Sequence, residues 1–227
     1  MYKRQCNEKR YGELEPDTVG HRVVVVGGGP GGMMAAETLA KRGVKVTLMD
    51  RQESLGGTVN LAKRPPLKER MEWIADYYRD SFARLGVEVQ LGKEASPENI
   101  AALEPDAVVL ATGSRAVFPK SIPGVDGKNV YTVEEVLTGK ADIAGKSVAM
   151  IGAGLTGLEV GEFLGEKGCK VAFVDMLKQA GANAYRKMCI RDRLHIRWLR
   201  CDRDWICAAP HHRTIARPAR LCPRSKP

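Results

Sequence analysis

Cysteine is scarce where it would have to act. Only Cys6 and Cys169 lie in the first 185 of the 227 residues, far apart and outside any C-x-x-C or C-x4-C spacing. That excludes a disulfide framework and a paired-thiol redox centre in this part, and it fits a reducing compartment. Long apolar runs are missing too: no stretch approaches the roughly 20 apolar residues of a membrane span, and the first ten residues are charged where a signal segment would be apolar. A cytoplasmic chain with no membrane partner is the expectation. Charge of one sign is also absent from the first 185 residues, which hold 24 basic and 24 acidic side chains. The net charge of +9 therefore belongs to residues 186–227, with ten Arg, two Lys and three Asp. A basic pI would ordinarily suggest nucleic acid as partner; with the surplus confined to the tail, none is expected.

The tail has a composition of its own. It holds four of the six Cys, three of the four His and two of the three Trp, and no glycine follows Gly181. Cys201, Cys207, His211, His212 and Cys222 are zinc-capable types. Structural zinc sites usually pair ligands about two to four residues apart before a second pair, a spacing this segment lacks, so no metal site is expected. Arg193, Arg197 and Arg200 fall at near-helical spacing and could make a phosphate-binding face, but Arg-rich translation of an unselected frame has the same look. The DNA string ATGTGTATAAGAGACAG reads in one frame as Met188-Cys189-Ile190-Arg191-Asp192, and in another as a GTG start followed by Tyr2-Lys3-Arg4-Gln5. It resembles a transposon end used in preparing sequencing libraries. Residues 188–227 are accordingly expected to be a basic tail of non-native sequence, with the natural protein cut at both ends.

What the chain does have is a repeat. Residues 23–50, VVVVGGGPGGMMAAETLAKRGVKVTLMD, align without a gap onto residues 148–175, VAMIGAGLTGLEVGEFLGEKGCKVAFVD. Gly27, Gly29, Gly32, Gly43 and Asp50 recur 125 positions later as Gly152, Gly154, Gly157, Gly168 and Asp175. The β-branched run 23–26 reads as a buried parallel strand. Beyond the glycines, Met34, Ala35 and Leu39 read as a helix, with Pro30 suited to its first turn. In a G-x-G-x-x-G turn the first Gly makes the tight bend, the second lets backbone approach a pyrophosphate, and the third lets helix and strand pack closely. Unpaired amides at the helix start then bind phosphate. Asp50 follows a second strand, 18 positions after Gly32, near the offset of about 20 at which a carboxylate meets a ribose hydroxyl. The expected fold is a three-layer α/β architecture of two Rossmann-like dinucleotide-binding units, the second incomplete. Two such units point to a flavin dinucleotide and a nicotinamide dinucleotide, and so to electron transfer.

Between the repeats, Leu55-Gly56-Gly57-Thr58 reads either as backbone passing close to a flavin or ribose or as a flexible turn. Residues 67–85 carry Met71, Ile74, Tyr78, Phe82 and Leu85 as a helical stripe of core packing. Residues 87–91 read as a strand, and 106–113 as a further buried strand running into a Thr112-Gly113 turn. Together Gly27 to Gly32, Asp50, Leu55-Gly56-Gly57, Asn60-Leu61-Ala62, Pro65-Pro66, Ala111-Thr112-Gly113, Ile122-Pro123-Gly124 and Gly152 to Glu159 resemble the reductase half of the NADH:flavin oxidoreductase family, which includes 2-enoate and 2,4-dienoyl-CoA reductases.

The resemblance covers about residues 20–180 and implies an organisation. Residues 1–19 would be a linker remnant, 20–118 the first part of an FAD-binding unit and 119–187 a truncated NAD(P)H-binding unit. FMN and a 4Fe-4S cluster would sit in a barrel domain outside this chain, where an activated C=C bond of enoate or enoyl-CoA type is reduced. By position, Gly27, Gly29 and Gly32 would face the FAD pyrophosphate, and Asp50 the adenosine ribose. Arg51, Gly57, Thr58, Ala111, Thr112 and Gly113 would lie at the same cofactor. Gly152, Gly154, Gly157 and Glu159 would form the nicotinamide-dinucleotide fingerprint, and Asp175, which repels a 2'-phosphate, favours NADH over NADPH. No side chain is expected as a catalytic acid, since hydride transfer asks the protein for positioning. Thr58 replaces the family's usual Gln. Cys6 lies where the family often has a cluster cysteine, but one thiolate cannot hold a cluster that needs four. The alternatives are a pyridine nucleotide-disulfide oxidoreductase, for which no thiol pair follows Gly57-Thr58, an electron-transfer subunit, and an inactive fragment. The incomplete second sheet is expected to leave an open edge and an aggregation-prone, poorly flavinated product.

Overall fold

The computed structural model describes residues 20–177, 180–181, 197–200 and 205–209, the last two ranges as backbone only. Met1 to Arg4, Cys6, Met188, Arg193, His211, His212 and Cys222, on which the terminal and zinc readings fell, lie outside the described residues. The chain divides between Ala141 and Asp142 into two compact units.

In the first unit, four parallel strands are ordered β3-β2-β1-β4: β1 Arg22–Val26, β2 Lys45–Met49, β3 Glu88–Gln90 and β4 Ala107–Leu110. Strand order reverses beside β1, so the crevice for a ligand opens at its carboxyl end. Helix α1 runs Pro30–Lys41, with proline where the missing N–H costs nothing. The short helix α2 is Val59–Ala62, and α3 is Glu72–Leu85. Met33 and Ala36 of α1 and Tyr78 and Phe82 of α3 pack on Val23, Val25, Val46 and Leu48, because alternate strand residues share a face. Glu37 ties the two helices: its carboxylate accepts from Tyr77 Oη at 2.7 Å and Ser81 Oγ at 2.6 Å, and pairs with Lys41 at 3.2 Å. Two shorter helices follow, α4 Pro97–Ala101 and α5 Val133–Leu137, each opened by a capping box.

Two sequence expectations change here. The helix expected over 67–85 begins only at Glu72, after a 3-10 turn Glu69–Met71, because Pro65-Pro66 and a left-handed Leu67 (φ 62°) interrupt it. Ile74, within the helix, is exposed rather than core. Strand β4 is an edge strand, not a buried one: Val109 packs toward the helices, while Val108 and Leu110 on its other face are 42% and 74% exposed.

The second unit repeats the first. Strands β5 Ser147–Ile151 and β6 Lys170–Asp175 pair in parallel, Ser147 opposite Lys170 as Arg22 is opposite Lys45, around helix α6 Leu155–Glu166. Leu158, Val160 and Leu164 of α6 are buried, as are Val171 and Phe173 of β6. At β6 the sheet continues in backbone terms: antiparallel β8 Trp205–Ala209 pairs with it, and β7 Arg197–Arg200 pairs with β8. On the far side of β5 no strand is found among the described residues. No helix among them is long and apolar enough to cross a membrane.

Candidate functional site: paired glycine crooks

Each crook begins with a glycine in a conformation other residues avoid, Gly27 at φ +113° and Gly152 at φ +99°. A side chain on Gly27 would also meet the carbonyl of Ala111, and one on Gly32 or Gly157 would run into the carbonyl oxygen of Gly27 or Gly152. Gly27, Gly32 and Gly157 are thus demanded by the chain's own packing, and Gly152 by its backbone conformation.

Gly29 and Gly154 are different. Their φ values, −77° and −73°, suit any residue, and a side chain at Gly154 would meet nothing within 4 Å; at Gly29 only the Gly57 Cα lies as near as 4.0 Å. The fold itself does not require glycine there. Each is the N-cap of its helix, with no capping side chain and no acidic residue in the first turn. The helical N–H groups begin bonding at Met33 to Gly29 O (2.9 Å) and Leu158 to Gly154 O (3.0 Å). The earlier first-turn amides have no intrahelical acceptor, and their partial positive charge faces outward over a bare backbone surface. Such a surface fits the phosphates of a dinucleotide.

The same hydrogen bonds hold both crooks. Gly27 N–H bonds Met49 O and Gly152 N–H bonds Val174 O, each at 2.8 Å. Gly28 N–H donates to Asp50 Oδ2, and Ala153 N–H to Asp175 Oδ2 at 2.6 Å. Gln52 N–H donates to Asp50 Oδ1 at 2.7 Å, and Leu177 N–H to Asp175 Oδ1 at 2.8 Å. The correspondence reaches beyond the sequence repeat, which ends at Asp175: Gly56 N–H bonds Gly28 O at 2.8 Å, and Gly181 N–H bonds Ala153 O at 2.7 Å.

In the first unit, Gly57 (φ +51°) lies so close to the crook that its side chain would come within 2.9 Å of the Gly29 Cα. Asn60 Nδ2 fixes this loop by donating to Leu55 O at 3.0 Å. The structure therefore joins Gly27, Gly29, Gly32, Asp50, Gly57 and the Ala111-Thr112 backbone around one crook, and Gly152, Gly154, Gly157 and Asp175 around the other. Arg51 and Thr58 are exposed on the loop after Asp50, and Gly113 (φ +74°) is exposed beyond Thr112. Glu159 is buried within α6, two residues past Gly157. Gly28 and Asn60 fall within motifs quoted from the sequence without a role of their own, and Gly181 lies beyond the repeat. A side chain at Gly28 would lie 3.1 Å from Asp50 Oδ2 and from Leu55 Cδ2, a tight fit, and the second unit carries Ala153 in the same place with the same hydrogen bond to its aspartate. No cluster of metal-ligating side chains occurs among the described residues.

Two consecutive α/β units, each with a phosphate-type crook at the carboxyl end of a parallel strand, define a protein that handles dinucleotides. Residues 21–196 match the pyridine nucleotide-disulphide oxidoreductase family, and the chain belongs to it. The chain is 44% identical over 170 residues to an NADH oxidase of Thermoanaerobacter brockii, covering 74% of this chain and 26% of that protein. It is 37% identical over 169 residues to a cinnamate reductase of Clostridium sporogenes, covering 74% and 25%. Among solved structures, a 2-naphthoyl-CoA reductase complex superposes with TM-score 0.75 at 32% identity, over 81% of this chain and 28% of that one. The chain thus spans about a quarter of the length of the relatives it matches.

Proposed function

We propose that this chain is the nucleotide-handling part of an NADH-dependent flavoprotein reductase. The observation that carries the reading is Gly29 with its counterpart Gly154, two glycines that the protein's own packing does not need and that leave bare backbone at helix starts. Gly27, Gly29, Gly32 and Gly57 with the first-turn amides of α1 would hold the FAD pyrophosphate. Asp50 and Arg51 would lie at its adenosine, with Thr58, Ala111, Thr112 and Gly113 along the cofactor. Gly152, Gly154 and Gly157 would hold a nicotinamide dinucleotide, with Glu159 and Asp175 completing that site. A flavin bound in the first unit supplies a hydride acceptor that can release electrons singly. The chain's own work is to bind phosphates by backbone, orient the ribose by carboxylate and leave proton chemistry to others.

Asp175 supports NADH over NADPH, since its carboxylate would repel a 2'-phosphate while two of its lone pairs remain free for hydroxyls. The names cinnamate reductase and 2-naphthoyl-CoA reductase support, for the longer protein, a conjugated acid or thioester as substrate. FMN and a 4Fe-4S cluster in a barrel domain of that same polypeptide complete the proposal, with residues 20–118 and 119–187 as its two nucleotide-binding units. The test is anaerobic titration of the chain, supplied with FAD, by each coenzyme. NADH should bleach the flavin absorbance at lower concentration than NADPH; no bleaching, or a preference of about tenfold for NADPH, would overturn the reading.

A further inference from the structure

We propose that Asp50 and Asp175 are positioning residues: each carboxylate staples its glycine crook to the loop after the neighbouring strand, fixing the pyrophosphate-binding shape before a nucleotide arrives. The proposal rests on the nucleotide reading above and deepens it. In both units the same two oxygens are used. Oδ2 takes the N–H of the crook's second residue, Gly28 or Ala153, and Oδ1 takes the N–H two residues beyond the acid, Gln52 or Leu177. The carbonyl of that same second residue is held from the other side by Gly56 or Gly181. Its two peptide groups are therefore clamped in both directions.

The residues contributing the amides differ between units: Gly28 against Ala153 and Gln52 against Leu177, with Arg51 against Met176 between acid and amide. What is kept is the aspartate and the backbone. Amide-to-carboxylate bonds are charge-assisted and stronger than neutral ones, so the staple outlasts the exchange of side chains. Each staple also consumes the N–H of Gly28 or Ala153, which leaves phosphate binding to the first-turn amides that follow Gly29 and Gly154. About two of the four acceptor positions of each carboxylate stay open toward a ribose, so shaping the crook and meeting the sugar are compatible tasks for one group.

The test uses residue-resolved amide hydrogen exchange on the full chain without nucleotide, for D50A, D50N, D175A and D175N. The D175A change should accelerate exchange at Ala153 and Leu177 by about tenfold or more while Gly28 and Gln52 are unaltered; D50A should do the reverse. The Asn variants, keeping one acceptor oxygen, should fall between Ala and wild type. Each unit is thus the folding control for the other, and unaltered exchange at the paired amides would overturn the staple. Binding of ADP and 2',3'-dideoxy-ADP gives the second arm. Loss of both by a common factor of about ten supports crook shaping; loss confined to ADP would reduce the aspartate to a ribose contact and overturn it. Wild-type chain that binds neither nucleotide, yet shows the exchange response, would sink the nucleotide reading and leave the staple in place.

Discussion

Met176 is 97% exposed directly after Asp175, where the first unit has Arg51 directly after Asp50. A guanidinium there would offer a 2'-phosphate the bidentate partner that the methionine lacks. Met176→Arg should therefore raise NADPH affinity relative to NADH by about tenfold, read by coenzyme titration; an unchanged ratio would place the discrimination elsewhere. Glu37 is a second residue with a readable effect. Burial pushes its pKa up, but hydrogen bonds from Ser81, Tyr77 and Lys41, with the charge of Lys41, outweigh that and hold it below the usual range. A carboxylate lowered on folding adds stability above its unfolded pKa of about 4.3 and loses it as pH falls through the folded value. Glu37→Gln should flatten the acid limb of stability in urea melts between neutral and acid pH; an acid limb as steep as wild type would show that the α1–α3 tie does not titrate.

At the scale of elements, the two units solve one packing problem with different pairs. Ala36 on α1 faces the sheet where Leu48 lies, and the repeat replaces these by Gly161 and Phe173. A side chain on Gly161 would collide with the Phe173 ring, which is buried and has nowhere to go. Alanine in mid-helix is intrinsically better than glycine by about 1 kcal/mol, while overpacking costs about 1–3 kcal/mol, so the collision decides the sign. Gly161→Ala should destabilise the chain, and Phe173→Leu added to it should recover stability, as measured by denaturant midpoint; strict additivity of the two would contradict the account. Strands and crooks were legible because β-branched runs and spaced glycines speak locally. The β1–α1–β2 unit could be read from the Val run, Pro30 and Asp50 without tertiary information. Helix α3 was placed too early because Met71 and Ile74 keep the helical period while Pro65-Pro66 and Leu67 decide the backbone. Strand β4 was judged buried because Ala107 to Leu110 is all apolar, and such a run cannot say whether both its faces are covered. The clamp from Gly181 escaped notice because the sequence repeat ends at Asp175 while the backbone correspondence continues.

For the whole molecule, charge and architecture separate cleanly. The neutral first 185 residues carry both crooks, and the surplus of +9 belongs to the segment after them. On the proposed function the molecule is one dinucleotide device used twice, with Gly27, Gly32, Gly152 and Gly157 shaping it by packing or backbone conformation and Gly29 and Gly154 left bare for a ligand. Alanine at either bare position costs the helix N-cap about 1 kcal/mol or less, yet sets a carbon where phosphate would lie. The decisive measurement is calorimetric titration of the full chain with ADP, for wild type, Gly29→Ala and Gly154→Ala, alongside thermal melts. Two sites in wild type, with one lost in each variant and melting nearly unchanged, is the predicted result. Full ADP binding retained in both variants would contradict the claim that these crooks hold nucleotide phosphates.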